Sequence, residues 1–599
     1  MSIDISPTLK SIPFLKDTPA RALRAAGREA NWFTLPAGWA LFEAGEPADC
    51  IYFVLSGSLG AFRDRASDGR QEFLGHIRPG EPVGEMALFS AGHGAGSATH
   101  TNSVHALRDS EILQISRAGF DRIVKAEPEI LERLIRVILL RVRHAGRRSQ
   151  RAEPKIFSLA AASPTIDLKL RAATLAGVLR RMGMTVAVIG EDEGGGKPQA
   201  YFDELESQND IVLLTSSIGD NPWYRLSIRQ ADRIWVVGRA DAKPSHPIMP
   251  ADHSPARQFK LVDVVLLHHG QRAMAATPGD WIDAADATRV LHWTGVDGED
   301  CERLARVISG RSVGLVLSGG GARAYAHIGV IRAMRERGVP IDFAGGTSMG
   351  AVVAACVAMG WDDEEIDRRI RKAFVESNPL GDWRLPVVSM VRGRKVDARL
   401  REHFGDALIG DLHLPFFAIS TNLVDGAVRV HHRGLVRETL RASISLPGIL
   451  PPVVSGDDLL VDGAVLNNFP VDVMRDFHRG FIVGSDVARQ PEGLDPSEFV
   501  DPPNFFGWVA KHGLSSAPPI AGLLMRAATV SVDPNTGREL TDVMVVPELD
   551  DVQLRDWTAY DRAVEAGYEA GLKALDAGGD LAARCAIAEP RAADFAEPV

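Results

Sequence analysis

The sequence predicts a multidomain chain: an N-terminal β-barrel followed by a helix, a middle α/β segment, and a C-terminal domain with helices on both faces of a sheet. Its 599 residues are about twice the size at which a single hydrophobic core stops growing. The N-terminal part carries short apolar runs separated by glycines, and the rest alternates apolar strands with helical stretches. The first pattern is typical of a small β-domain and the second of α/β folds.

The barrel is expected within a domain spanning 10–150. Gly45 and Gly57 lie between apolar runs, where they predict turns. Over 117–148 the apolar residues instead recur at helical spacing, with arginines on the other face. The residues that carry this spacing are Ile130, Leu131, Leu134, Ile138, Leu139 and Val142.

The middle segment, 155–305, contains four β-rich apolar runs (TVAVIG, DIVLLTS, DRIWVVG and VDVVLLHH) with helical stretches such as 168–182 between them. This alternation predicts an open α/β sheet. The third domain is expected at 311–490, where the strand SVGLVLS leads through glycines into a helix from Ala326 to Arg337. The strand FAGG then leads into a second helix, which makes the pattern doubly wound. Residues 491–599 are expected to pack on this domain as an extension.

Composition narrows the class of protein. The net charge of −11 argues against a nucleic-acid binder, because such proteins are basic. Neither a secretory leader nor an apolar run of spanning length is expected, so we expect a cytoplasmic protein that reaches any lipid from the aqueous side, including the inner face of the membrane. The cysteines lack metal-type spacing, so we expect neither a zinc site nor a disulfide framework. They are Cys50, Cys301, Cys356 and Cys585. We also expect that the chemistry needs no metal and no cofactor.

The first chemical motif is Gly346-Thr347-Ser348-Met349-Gly350, a Gly-x-Ser-x-Gly between a strand and a helix. A sharp turn there exposes the serine oxygen, and small flanking residues allow the turn. The helix N-terminus behind it favours developing negative charge. Ser348 is therefore the candidate nucleophile.

Two further motifs flank this serine along the chain. Gly319, Gly320, Gly321, Ala322 and Arg323 lie between a strand and a helix, where consecutive glycines present backbone N–H groups that can stabilise an oxyanion. We expect the N–H groups of Gly320, Gly321 and Ala322 to do so, with Arg323 orienting the loop or a lipid phosphate.

The third motif, Asp462-Gly463-Ala464, follows an apolar strand. It places a carboxylate at a glycine turn, where Asp462 can serve as the general base.

Together the three motifs resemble the patatin-like phospholipases. The resemblance covers about 313–487 and includes Arg441-Ala-Ser-Ile-Ser-Leu-Pro-Gly448 followed by Pro451-Pro452. It implies a patatin-type α/β/α hydrolase domain with a Ser348–Asp462 dyad, no catalytic histidine, and the glycine loop as oxyanion hole.

Residues 10–145 resemble a cyclic-nucleotide-binding domain. The resemblance rests on the Gly45 and Gly57 turns and on Gly84-Glu85-Met-Ala-Leu88. Glu85 fits the ribose-binding carboxylate, but His100 stands where the family has the phosphate-binding arginine. Poor binding of cyclic nucleotides is therefore expected, because histidine is mostly neutral at pH 7 and offers one donor at a time.

The combination of these domains resembles neuropathy target esterase and its bacterial lysophospholipase relatives. It implies a lysophospholipid or phospholipid substrate and peripheral membrane contact, for which the segment Pro503 to Trp508 is a candidate. The N-terminal domain can then serve as a structural or dimerisation module. In the second case the protein would be a homo-oligomer. Two alternatives remain: a Ser-His-Asp carboxylesterase using His478 or His512, and a non-catalytic nucleotide- or ligand-sensing adaptor.

Overall fold

A computed structural model describes residues 6–64, 71–85, 99–145, 154–244, 248–249, 261–270, 278–377, 380–383, 387–478, 480–488, 537–554 and 556–588. The chain divides into two compact units. The first unit consists of Met1–Arg239, Pro244–Val265 and Ala284–Thr288, and the second of Ala240–Lys243, Leu266–Asp283 and Arg289–Val599.

The first unit begins with two antiparallel sheets of four strands, ordered β1-β8-β3-β6 and β2-β7-β4-β5. Residues of both sheets form one shared core, so the predicted β-barrel is present. Alternation along β8 sends Ile112 into that core and Leu113 into a second cluster beneath the helices. The strands are β1 (Ala30–Leu35), β2 (Ala40–Phe42), β3 (Cys50–Ser56), β4 (Leu59–Asp64), β5 (Gln71–Ile77), β6 (Pro82–Val83), β7 (Ser103–Ala106) and β8 (Ser110–Ser116).

Helices pack on the outer face of the first sheet, where Ile123, Ile130 and Leu134 join the second cluster. The helical period predicted over 117–148 is divided between two helices rather than one. The break falls at Glu127, because the residue before a proline is disfavoured in helical geometry and Pro128 follows it. The helices are α1 (Ser6–Ser11), α2 (Ala20–Gly27), α3 (Arg117–Ala126) and α4 (Glu129–Ala145).

The α/β segment of the first unit has strands in the order β10-β11-β9-β12-β13, with β10, β11, β9 and β12 mutually parallel. The alternation of strands and helices seen in the sequence is thus present. The strands are β9 (Ile156–Ala161), β10 (Val186–Ile189), β11 (Ile211–Ser217), β12 (Arg233–Arg239) and β13 (Leu261–His268), and the helices are α5 (Leu168–Arg181), α6 (Glu191–Gly194), α7 (Gln199–Gln208) and α8 (Pro222–Gln230). The next helix, α9 (Pro278–Ala285), falls mostly within the second unit.

A buried arginine ties the barrel to this α/β segment. Arg108, in the β7–β8 loop, donates from Nη1 to Glu206 Oε2 at 2.6 Å and from Nε to Asp232 Oδ1 at 2.9 Å. Asp232 also accepts the backbone N–H groups of Lys155 and Ile156 at the start of β9. Because all these groups satisfy one another, the barrel loop is held in a single arrangement.

The second unit is built on a mixed sheet ordered β19-β20-β17-β16-β15-β21-β22, with β18 paired to β17. Its centre is parallel and its β17–β20 edge antiparallel. The strands of this unit are β14 (Arg289–Thr294), β15 (Val313–Leu317), β16 (Phe343–Thr347), β17 (Phe416–Asn422), β18 (Ala427–His431), β19 (Val453–Ser455), β20 (Asp458–Asp462), β21 (Phe481–Ser485) and β22 (Val543–Val545).

Helices cover this sheet, and one is buried on all sides. Every residue of α12, the sequence MGAVVAACVA, is buried, because alanine and small β-branched side chains let neighbouring elements approach from every direction. The helices are α10 (Glu299–Ser309), α11 (Ala326–Glu336), α12 (Met349–Ala358), α13 (Asp363–Ile370), α14 (Arg394–Phe404), α15 (Val436–Ser443), α16 (Val471–Phe477), α17 (Tyr560–Ala577) and α18 (Leu581–Cys585). The predicted architecture of barrel, α/β segment and C-terminal α/β domain is confirmed.

Candidate active site

Ser348 occupies the turn between β16 and α12. Its φ of +54° and ψ of −129° lie where side-chain-bearing residues are rare, a strain that is typical of functional turns. The turn is packed against the neighbouring strand β15: a Cβ on Gly346 would lie 2.5 Å from the Leu317 carbonyl oxygen, and one on Gly350 would lie 2.4 Å from that of Ser318. Only glycine fits at both flanking positions, and the serine is held at the carboxyl edge of the sheet.

Asp462 meets this serine from the end of β20. The Ser348 hydroxyl donates to Asp462 Oδ2 at 2.7 Å, and the Ala464 N–H donates to Oδ1 at 2.9 Å. The aspartate lies in the register of β17 opposite Ser420, and Gly463 follows it because a Cβ there would lie 2.6 Å from the Ile419 carbonyl oxygen. The structure thus brings together two residues separated by most of the domain's sequence.

The carboxyl group of Asp462 is 1% exposed. Burial raises its pKa from 3.8 to about 7, and the hydrogen bonds from Ala464 and Ser348 oppose only part of that rise. A carboxyl group with a pKa near neutrality can both accept and return a proton at physiological pH, which is the property of an efficient general base.

The glycine loop begins where β15 ends. A Cβ on Gly319 would lie 3.1 Å from the Cβ of Ser348 and 2.5 Å from Asn468 Oδ1, so this loop passes directly beside Ser348. Within the described part of the chain, the N–H groups of Gly320 and Gly321 have no hydrogen-bond partner. They are the donors this loop has available for an oxyanion.

Ala322 departs from the expectation set by the sequence. Its N–H donates to the Leu554 carbonyl oxygen at 2.9 Å, so it is already hydrogen-bonded and we remove it from the expected oxyanion donors. Arg323 is 5% exposed and donates from Nε to the Val552 carbonyl oxygen at 2.7 Å. Of the two roles considered for Arg323, this contact matches orientation of the loop rather than binding of a lipid phosphate.

Several supporting residues were not singled out from the sequence. Ser443 Oγ accepts the N–H of Ser348 at 3.0 Å. Asn468 donates from Nδ2 to the Gly319 carbonyl oxygen at 3.1 Å, and the Asn467 carbonyl oxygen accepts from Thr347 Oγ1 at 3.0 Å. Ser443 lies within Arg441–Gly448, a stretch that contributes to the family resemblance, and the two asparagines follow the Asp-Gly-Ala motif. Closeness to a motif in the sequence is therefore the signal that could have identified these residues.

Among the described residues, no histidine is hydrogen-bonded to Ser348 or Asp462. His478 contacts Gly314 and Phe343, which begin the region where β15 and β16 pair, whereas Leu317 and Gly346 lie at the other end beside Ser348. This position of His478 argues against a triad through it, and His512 lies outside the described residues. His327 hydrogen-bonds to Ser318 and Ser485, and burial lowers its pKa to about 4, so it is a neutral packing residue.

In the barrel, the three residues singled out for a nucleotide pocket lie together. A Cβ on Gly84 would lie 3.4 Å from His100 Cε1, and Glu85, next to Gly84, is buried. The His100 ring stacks on Phe42 with centroids 3.5 Å apart. Burial lowers the pKa of His100, and the nearby carboxylates Glu46 and Asp49 only partly oppose this. His100 is thus neutral at pH 7, unlike an arginine.

Other features bear on cofactors and membranes. Among the described residues, no group of three or more His, Cys, Asp or Glu side chains could hold a metal ion. None of the helices in that part of the chain is both long and apolar enough to span a membrane. The segment 503–508, considered for membrane contact, lies outside the described residues.

Comparison with known proteins adds family information. A family described as patatin-like phospholipase matches residues 315–475, and the cyclic nucleotide-binding domain family matches residues 32–127. A Mycobacterium tuberculosis protein described as an uncharacterized NTE family protein is 30% identical over 96% of this chain and 97% of its own length. Patatin-like phospholipase domain-containing protein 6 of Homo sapiens is 27% identical over 90% of this chain and 44% of its own. Patatin-like phospholipase domain-containing protein 7 of Rattus norvegicus is 28% identical over 77% of this chain and 38% of its own length.

Proposed function

The chain belongs to the neuropathy target esterase (NTE) family, whose patatin-like phospholipase and cyclic nucleotide-binding domains it carries, and from this membership we propose that it hydrolyses carboxylic esters of lysophospholipids and phospholipids. Ser348 is the proposed nucleophile and Asp462 the proposed base. The observation that carries the proposal is the 2.7 Å hydrogen bond from Ser348 Oγ to a buried carboxyl group whose pKa is about 7.

In the proposed first step, Ser348 Oγ attacks the ester carbonyl carbon as its proton moves to Asp462 Oδ2. The tetrahedral oxyanion is stabilised by the N–H groups of Gly320 and Gly321, an interaction typically worth ~3–4 kcal/mol per donor. The carbon–oxygen bond to the alcohol then breaks, and Asp462 returns its proton to the leaving oxygen. An acyl group remains on Ser348.

In the second step, Asp462 takes a proton from water, and the resulting hydroxide attacks the acyl carbon. The Ser348 oxygen leaves and recovers the proton, which releases the fatty acid. The mechanism uses no histidine and no metal, since one carboxyl group with a pKa near 7 serves both half-reactions.

We also propose that the protein works from the aqueous side, in the cytoplasm, with reversible contact to the inner membrane face. The domains are proposed to span 10–150, 155–305 and 311–490, with 491–599 serving the hydrolase domain. In support of the last assignment, β22 and α17 belong to the same compact unit as Ser348.

The test is a lipid panel with the purified protein, scored for released fatty acid. Ser348→Ala is expected to abolish release from lysophospholipids, with unchanged circular dichroism. Equal turnover in parent and variant would refute the nucleophile. A parent that hydrolyses no ester at all would favour the alternative of a ligand-sensing adaptor.

A further inference from the structure

Residues near the C-terminal end of the described chain hold the glycine loop in place. We call the described residues of this segment, 552–554 and 556–560, the C-terminal strap. Its Leu554 carbonyl oxygen accepts the Ala322 N–H at 2.9 Å, and its Val552 carbonyl oxygen accepts from Arg323 Nε at 2.7 Å. These two bonds join the strap to consecutive residues of the loop that lies beside Ser348, although the strap is far from that loop in sequence.

The strap and the glycine loop approach each other closely at Gly321. Gly321 has a φ of +55°, and a Cβ there would lie 2.2 Å from the Leu554 carbonyl oxygen. Any other residue would therefore push the strap and the loop apart. The same contact turns the Ala322 N–H toward the strap. Of the five N–H groups of Gly319–Arg323, only those of Gly320 and Gly321 have no partner among the described residues.

Packing behind the loop fixes the strap rigidly. Tyr325 ends the short 3₁₀ helix Gly321–Tyr325 that completes the glycine loop. Its ring lies 4.8 Å from that of Tyr560 and 6.2 Å from that of Trp557, centroid to centroid. The helices that follow loop and strap, α11 and α17, meet backbone to backbone: a Cβ on Gly567 would lie 1.9 Å from the Ala326 carbonyl oxygen. The helix that follows the strap is thus packed against the first residue of the helix that follows the glycine loop.

We propose that the C-terminal strap is a positioning element for the glycine loop, with Arg323 as the positioning residue that links the two. This inference rests on the proposed function and adds to it residues beyond 315–475, the part that matches the patatin-like phospholipase family. Arg323 acts through the loop backbone, so its loss should lower the rate of the chemical step and leave substrate binding nearly unchanged.

Arg323→Met keeps the aliphatic stem and removes the donor to the Val552 carbonyl oxygen. Arg323→Lys restores a donor. Arg289→Met is the matched control, because Arg289 is also buried and donates to a backbone carbonyl oxygen, that of Phe477 at 2.8 Å. That contact lies near Phe343 at the opposite end of β16.

Two readouts separate this inference from the proposed function. The first is kcat and KM for lysophospholipid hydrolysis. The second is the rate at which a fluorophosphonate labels Ser348, which needs no lipid activity. In that reaction the Ser348 Oγ–phosphorus bond forms, the phosphorus–fluorine bond breaks, fluoride leaves and Asp462 takes the proton, while the phosphoryl oxygen needs the same N–H donors as an ester oxyanion.

We expect Arg323→Met to lower kcat and the labelling rate at least tenfold, with KM within twofold of the parent, since loss of one oxyanion donor typically lowers kcat by about 10²–10³. Arg323→Lys should recover most of the loss, and Arg289→Met should stay within twofold. Parent-like labelling in Arg323→Met, or equal losses in Arg323→Met and Arg289→Met, would overturn the inference.

If Arg323→Met does not fold, Gly567→Ala takes its place, with Gly571→Ala as control. The Gly571 Cβ would meet the Ala333 side chain at 2.8 Å and the Val330 backbone no closer than 3.3 Å, both farther along α11 than Ala326. Slower labelling in Gly567→Ala alone supports the strap, and equal rates in both variants count against it. A parent that is labelled but hydrolyses no lipid refutes the proposed function and leaves this test valid.

Discussion

Asp462→Asn is expected to abolish hydrolysis and, at alkaline pH, to stabilise the unit that contains it. Burial raises the pKa of this carboxyl group from 3.8 to about 7 in the folded protein, whereas the unfolded chain has an ordinary value of ~3.9. A raised folded pKa contributes stability that is fully present below about pH 4. That contribution is lost as the pH rises through about 7, because the folded protein must then bury a charge.

The magnitude follows from the size of the shift. About three pKa units at 1.36 kcal/mol each give an upper value of roughly 4 kcal/mol for the cost of ionising Asp462 in the folded state. Asparagine carries no charge, and its oxygen can still accept the Ala464 N–H. We therefore expect Asp462→Asn to be more stable than the parent by about 2–4 kcal/mol at pH 8, or ~5–10 °C in Tm, with little difference near pH 4.

Calorimetry of parent and variant at several pH values between 5 and 8 measures this directly. Every other titrating group is shared by the two proteins, so the difference in Tm isolates position 462. Ser348→Ala is the control: it removes the hydroxyl that hydrogen-bonds the carboxylate and should not gain stability at pH 8. A difference between parent and Asp462→Asn that does not change with pH, or an asparagine variant that is less stable at pH 8, would refute the reasoning.

The remaining predictions concern the histidines, the N-terminal pocket and the membrane. His478→Ala should retain most activity while Asp462→Asn loses it on the scale of Ser348→Ala, and steady-state kinetics in which the histidine variant is equally inactive would restore the triad. Isothermal titration should find cyclic AMP and cyclic GMP binding about a hundredfold more weakly than an arginine pocket would allow, because a neutral His100 replaces a charge-assisted fork. Burial lowers the pKa of His100, so lowering the pH to 6 should not rescue binding, and a micromolar dissociation constant would contradict this. The protein should co-sediment weakly with anionic and neutral vesicles, and its absence from both pellets with activity on soluble esters alone would count against a lipid role.

The turns that hold Ser348 and Asp462 could be predicted from the sequence, because each depends only on neighbouring residues. The glycines flanking Ser348 and the glycine after Asp462 signal tight turns, and the strand before each motif places it at one edge of the sheet. Pro128 also signals locally that the helix must end near Glu127. The prediction missed this break because it used only the spacing of the apolar residues.

Contacts between residues distant in sequence could not be predicted in this way. The N–H of Ala322 looks free in the sequence, yet it is bonded to the carbonyl oxygen of Leu554. No side-chain pattern signals that bond, because both partners are backbone groups. Ser443 was likewise missed, since a serine that accepts the N–H of Ser348 has no distinctive spacing in the sequence.

The helix behind Ser348 has a consequence for how the molecule loses activity on heating. Since α12 is buried at every position, it has no solvent-facing side from which to fray, and its amide hydrogens can exchange with water only when the surrounding sheet and helices separate. Ser348, the proposed nucleophile, is the residue immediately before this helix, so its geometry should survive until that cooperative opening. Thermal inactivation should therefore coincide with unfolding of the unit instead of preceding it.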